Sequence, residues 1–412
     1  MEEKTLEIYS RHNLIRAVCI SCFRVVALLA ANGALVQTLL VVMGYSERMI
    51  YAYTSLTQVA NVLTMLLGAG YADKGGNVIR RAALLTVPQG VLCLFYLPLC
   101  FAKHASLGLF VYFVVISVLQ TVAIGLYTLF DTKSSYHVYR PHNFGFMLAF
   151  CGILSNIISF FMGLLISSLT EKIRYSHIML VAFLISAFLF LLSALLMWYQ
   201  KSLLDPSQSG PKPTAVKLSY RQLLRYPVTV KLIPAHLLRG FSFGTTTVLA
   251  VICADLGFDA GVATSLVSVQ SAAALLSCLT MSIVVRRFSS RLTVFIGSLL
   301  FLLFPLLLIP DKRVFLVVSF LIIFGRTFVD NGVVDVLLFA VPMEIAGSYN
   351  ALRLLLHYAG ILISTALAAT VSVQALLIIT AVCQVISGIM FFSMKLLRKV
   401  SPIRVRHESK ES

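Results

Sequence analysis

Twelve apolar runs follow one another along the chain, at residues 14–42, 50–72, 82–102, 107–130, 144–169, 176–199, 230–253, 261–285, 291–310, 314–341, 348–371 and 373–396. A helix rises 1.5 Å per residue and a bilayer's hydrocarbon core is about 30 Å thick, so runs of about 20 residues suit spanning helices. Nothing in them shows the weak alternation of a membrane β-strand. Most connections are short. The longest, residues 200–229, carries Asp205-Pro-Ser-Gln-Ser-Gly-Pro-Lys-Pro213, a breaker-rich stretch that divides the runs six and six. The pattern predicts an all-α integral membrane protein of twelve transmembrane helices in two pseudo-symmetric six-helix bundles. The bundles are expected at 1–199 and 230–396, joined by a cytoplasmic linker (200–229) and followed by a basic tail (397–412).

Composition narrows the class. Hydrophobic residues make up 59% of the chain and charged residues 12%, where a soluble domain is about a quarter charged. No stretch is left for a soluble domain of useful size. The formal net charge of +17 lies in short loops and tails without a folded platform, which argues against nucleic-acid binding. Counted by alternate sides, 24 Lys and Arg fall on the side of both termini and 6 on the other. The rule that cytoplasmic loops are enriched in these residues then places both termini in the cytoplasm. No cleavable signal is evident in the polar first 18 residues, and the first run is expected to serve as the insertion signal. All eight cysteines lie in or beside apolar runs, so Cys19-Ile-Ser-Cys22 reads as packing and not as a disulfide or metal motif.

The halves repeat their landmarks. Arg24 on the first run and Arg239 on the seventh are 215 residues apart, and Asp73 and Arg286, after the second and eighth, are 213 apart. Such a parallel repeat places a solute site at the bilayer midplane between two bundles. Residues 217–226, Lys-Leu-Ser-Tyr-Arg-Gln-Leu-Leu-Arg-Tyr, read either as an amphipathic interfacial helix or as a solvated basic linker.

Between the second and third runs stands Ala69-Gly-Tyr-Ala-Asp73-Lys74-Gly75-Gly76-Asn77, followed by Arg80 and Arg81. It resembles the major facilitator superfamily signature G-x-x-x-D-[RK]-x-G-[RK]-[RK], matching at Asp73, Lys74 and Gly76. It departs at the first glycine, where Ala69 stands, and at the basic pair, where Asn77 and Val78 stand. Arg286-Arg287-Phe-Ser-Ser-Arg291 is a degraded copy in the second half. The resemblance covers nearly the whole chain and implies a secondary transporter in which this loop controls the switch between outward-open and inward-open states. That role passes to Asp73, Lys74 and Gly76. Other marks are missing: the fourth run, around Gln120, lacks the Arg of many proton-coupled members, and residues 152–163 lack the Gly-Pro element of many drug antiporters.

The resemblance also implies that the first, fourth, seventh and tenth runs line a central cavity. Three arginines lie deep on them, Arg24, Arg239 and Arg326, with one deep acid, Asp330. An ionisable group at that depth is costly and is normally a site group with a partner. Asp330 follows Arg326 by four residues on one helix face, and Arg239 is its other available partner. Three positive charges against one negative favour an anionic solute, since Arg captures carboxylate or phosphate in bidentate fashion. The alternative is that Arg24 and Arg239 snorkel toward cytoplasmic headgroups. Asn32 and Gln120 are further candidate solute contacts. For proton coupling, Asp330 is preferred, with His357, four residues after Arg353, as a second candidate.

No nucleotide loop, zinc-ligand spacing or serine elbow appears, so an enzyme, a cofactor and a bound metal are not expected. The sequence reads as a monomeric plasma-membrane secondary active transporter of a small solute, surrounded by membrane lipids. It moves an organic anion by alternating access with possible proton coupling; drug or metabolite efflux and a transporter-shaped sensor without flux are the rival readings.

Overall fold

The structure is a computed structural model and describes residues 3–31, 33–72, 77–102, 104–138, 141–203, 227–287, 289–340 and 346–394. Asn32, Asp73, Lys74, Gly76, the 217–226 segment and the tail from 397 lie outside the described residues. Among the described residues there is no strand.

Helices occupy all twelve predicted positions, and they are numbered here as spans one to twelve. Four are single helices in the first half, spans two (Glu47–Ala72), four (Leu107–Val138), five (Pro141–Thr170) and six (Tyr175–Trp198), and span eight (Ala260–Arg287) is a single helix in the second half. Spans ten (Lys312–Ala340), eleven (Ala346–Ala368) and twelve (Val373–Phe392) are also continuous. The other four are divided: span one into Glu3–Ala31 and Ala34–Val42, span three into Val78–Leu94 and Leu97–Phe101, and span seven into Pro227–Thr247 and Leu249–Asp255. Span nine begins as Ser290–Leu299 and tightens into a 3-10 stretch, Leu300–Leu308, around Pro305.

Among the described residues, nine of these are long and apolar enough to cross a membrane, or ten when the two pieces of span seven, bent by 53°, count as one. Span two is diluted by Thr54, Ser55, Thr57, Gln58, Asn61 and Thr64, and the apolar part of span eleven, Leu352–Ala368, is shorter. The bend in span seven follows Thr245, Thr246 and Thr247. The last two donate their hydroxyls to the carbonyls of Phe243 and Gly244, a local bonding pattern that bends helices.

The packing repeats between halves. Span one lies on six as seven lies on twelve, two on four as eight on ten, and three on four and six as nine on ten and twelve. Across the halves, five packs on eight and eleven on two. Large apolar side chains such as Phe188, Leu67 and Val317 face outward, while Thr245, Ser364, Gln384 and Ser298 are fully buried. This is the distribution expected of helices solvated by lipid and joined by polar contacts.

Candidate functional site

In the second half, span seven presents His236, Arg239, Phe243 and Thr246, and span eleven presents Tyr349, Arg353 and His357 at four-residue intervals on one face. Glycines bring the two helices together. A Cβ at Gly240 would collide with the His357 carbonyl and one at Gly360 with the Leu237 carbonyl. The His236 ring is bonded to the Tyr349 hydroxyl at 2.8 Å through Nε2, and the His357 ring meets Phe243 edge-on at 5.3 Å.

Arg239 is 2% exposed and forms an ion pair with Asp330 of span ten at 3.4 Å, while the Asp330 side chain remains 41% exposed. Among the described residues its Nε and Nη1 have no hydrogen-bond partner. Arg326 does not use the acid four residues along its own helix as its hydrogen-bond partner. It donates to Thr246 Oγ1 at 2.7 Å and lies 4.7 Å from the Phe243 ring centre, with Arg239 at 5.3 Å from the same ring. One aromatic ring and one carboxylate therefore organise two guanidiniums.

Arg24 sits in the first half. It donates to Thr86 Oγ1 at 3.3 Å and Gln89 Oε1 at 3.2 Å on span three. The amide of Gln89 spends its N–H groups on the carbonyls of Leu85 and Ala123, which turns its oxygen toward the arginine. The guanidinium lies 3.5 Å from the centre of the Tyr127 ring, close enough for strong cation–π attraction. Tyr127 in turn donates its hydroxyl to Asp131 at 2.5 Å. Beside this stack is a cavity of about 380 Å³, lined among others by Arg24, Tyr127, Asp131, Ser21, Cys151 and Ser155.

The structure thus gathers Arg239, Arg326, Asp330 and His357 in one network and holds Arg24 apart, on the opposite half. Neither Arg24 nor Arg239 snorkels to a helix end; both are buried among side-chain partners within the bundles. Gln120 is 2% exposed, with its amide 3.8 Å from Cys93 Sγ, and does not line the cavity. Asp131 follows the apolar run 107–130 by one residue, and span four continues past it to Val138. Tyr127 and Asp131 at i, i+4, like Thr86 and Gln89 at i, i+3, share helix faces, the one sequence signal that links them. Among the described residues no group of three or more His, Cys, Asp or Glu is placed to hold a metal ion.

Helices at twelve positions whose packing repeats between the halves, with buried charges on facing helices, suit a membrane transporter fold. The sequence model of the Major Facilitator Superfamily matches residues 17–365, and the chain belongs to that family. No curated protein sequence matches it. Among solved structures it is similar to the nucleoside transporter NupG (15% identity, TM-score 0.67, covering 94% of this chain and 100% of that one). It also resembles a D-xylose-proton symporter (14%, TM-score 0.66, 94% and 98%). A third neighbour is a bacterial homologue of the human lysosomal transporter Spinster, in an inward-facing and unoccupied conformation (14%, TM-score 0.65, 93% and 96%). At these identities the likeness is one of fold.

Proposed function

We propose that this protein is a secondary active transporter that carries a small anionic solute through a site between its halves and couples the movement to protons at Asp330. The observation that carries the reading is the charge balance: Arg24, Arg239 and Arg326 are held deep in the bundles, and Asp330 is shared on one side and Asp131 screened by Tyr127 on the other. A surplus of guanidinium charge in a poorly solvated interior is relieved by a carboxylate or phosphate solute. The half-exposed Asp330 is the proton acceptor. Protonation removes the counter-charge of buried Arg239, and that loss drives the network to rearrange.

The test is solute counterflow in proteoliposomes with carboxylate and phosphate metabolites, and with D-xylose and a nucleoside because the structural neighbours carry those names. Anionic solutes are expected to exchange, and Arg24→Gln with Arg239→Gln to abolish exchange. Uptake of anions unchanged in that double variant, or competition by the neutral solutes alone, overturns the anion reading. A rate that stays flat between about pH 5.5 and 8 overturns the coupling.

A further inference from the structure

An apolar groove runs along the outer face of the first half where span three meets span six. Ala83 and Ala194 form its floor, Leu84, Val87, Leu191 and Leu195 its walls, and Trp198 its end toward the basic side; it encloses about 230 Å³. Small residues create it. At Gly90 a Cβ would come within 3.0 Å of the Ala187 carbonyl and 3.1 Å of Leu191 Cγ, so the helices lie close and the larger side chains stand on either side of a trough. Leu84 and Leu195 are more than half exposed and point to the surrounding hydrocarbon.

The closed end is charged. Arg80 is exposed at the start of span three, where its backbone N–H donates to Asn77 Oδ1. Its guanidinium lies 5.3 Å from the centre of the Trp198 ring. Tryptophan at the end of an apolar span marks the level of the lipid headgroups. In a bilayer an acyl chain that enters the groove leaves equally apolar surroundings, so the groove by itself selects no lipid. Selection has to come from the headgroup. The forked guanidinium suits a phosphate, and a zwitterionic lipid brings an opposing ammonium where an anionic one does not. The cations concentrated on this side of the chain act in the same direction.

We infer that the groove between spans three and six holds an acyl chain of an anionic phospholipid whose phosphate is bound by Arg80 beside Trp198. Trp198 is the only tryptophan in the chain, so its emission reports this site alone. The full-length protein is reconstituted in phosphatidylcholine vesicles and titrated with brominated-chain phosphatidylglycerol or, in parallel, brominated-chain phosphatidylcholine. The anionic lipid is expected to quench with a relative association roughly five-fold higher. Arg80→Gln is expected to bring the two curves together while leaving quenching by brominated phosphatidylcholine intact. Equal quenching by the two lipids in the unaltered protein overturns the proposal, as does a preference that survives Arg80→Gln. Where that variant fails to fold, salt decides on the unaltered protein: a preference that shrinks with added NaCl supports the site, and one indifferent to salt overturns it.

Discussion

A guanidinium buried like that of Arg239, with one carboxylate at 3.4 Å and two nitrogens without partners among the described residues, depends on that carboxylate staying ionised. Replacing Asp330 with Asn leaves the charge uncompensated. The full cost of breaking a buried pair is about 3–5 kcal/mol, and the 41% exposure of Asp330 reduces it to about 2 kcal/mol. Thermal or denaturant unfolding of purified Asp330→Asn should show that loss, and Arg239→Gln added to it should restore part of the stability, since the orphaned charge is then gone. Arg24 makes a different demand. Lysine keeps the charge but cannot fork between Thr86 and Gln89 while lying flat on Tyr127, so Arg24→Lys is expected to lower uptake about ten-fold at unchanged net charge. Initial uptake rates measure it. At this scale the sequence announced the deep charges, because an arginine inside an apolar run has to find a partner. It even offered Arg239 as the alternative partner of Asp330. It did not announce Asp131, because hydropathy ended the fourth run one residue too soon, nor Tyr127 and Thr246, whose roles depend on which face of a helix meets which neighbour.

Spans seven and eleven show what sequence reading loses at the level of elements. Their positions were plain from apolar length, and so were those of the other spans, to within a few residues at most ends. The close approach was not. Gly240 and Gly244 form a G-x-x-x-G step facing Gly360 and Ser364, the small-residue arrangement that lets membrane helices touch backbone to backbone. Thr245 then bridges Ser364 and Thr380, tying span seven to eleven and twelve at once. A methyl group at Gly240 has only the His357 backbone to displace. Gly240→Ala is therefore expected to cost about 1–3 kcal/mol and to lower the thermal midpoint, while Gly152→Ala, where a Cβ meets nothing within 4 Å, should leave it unchanged. The comparison separates overpacking from any general intolerance of a changed glycine. The 53° bend of span seven and the tightened end of span nine were equally invisible, since a hydropathy window registers how apolar a run is and not whether its axis is straight.

Across the whole molecule, every hydrogen bond described between the halves lies in the outer part of the bundles or near their middle, away from the basic loops. Gln37 donates to the Thr247 carbonyl, Ser55 to Thr365, Ser167 meets Gly261 and Ser265, and Ser268 donates to the Phe160 carbonyl. These contacts are neutral, and polar contacts between membrane helices average about 0.6 kcal/mol each. A seam of that kind closes one side without locking it, which an alternating-access cycle needs, because the site has to reach both faces in turn. The seam repeats between the halves: spans five and eight form one contact and eleven and two its counterpart, so a rocking of the halves, as the proposed function requires, has to loosen both. Ser55 Oγ and Thr365 Oγ1 are 3.0 Å apart, a natural position for a reversible tether. In the pair Ser55→Cys with Thr365→Cys, oxidation should join spans two and eleven and stop solute exchange, and reductant should restore it, while each single variant exchanges under oxidant as the unaltered protein does. The single variants also control for the eight native cysteines, all of them free here. Exchange at full rate by the cross-linked protein means that this seam stays shut throughout the cycle, and a transporter that works by rocking its two halves cannot have such a seam.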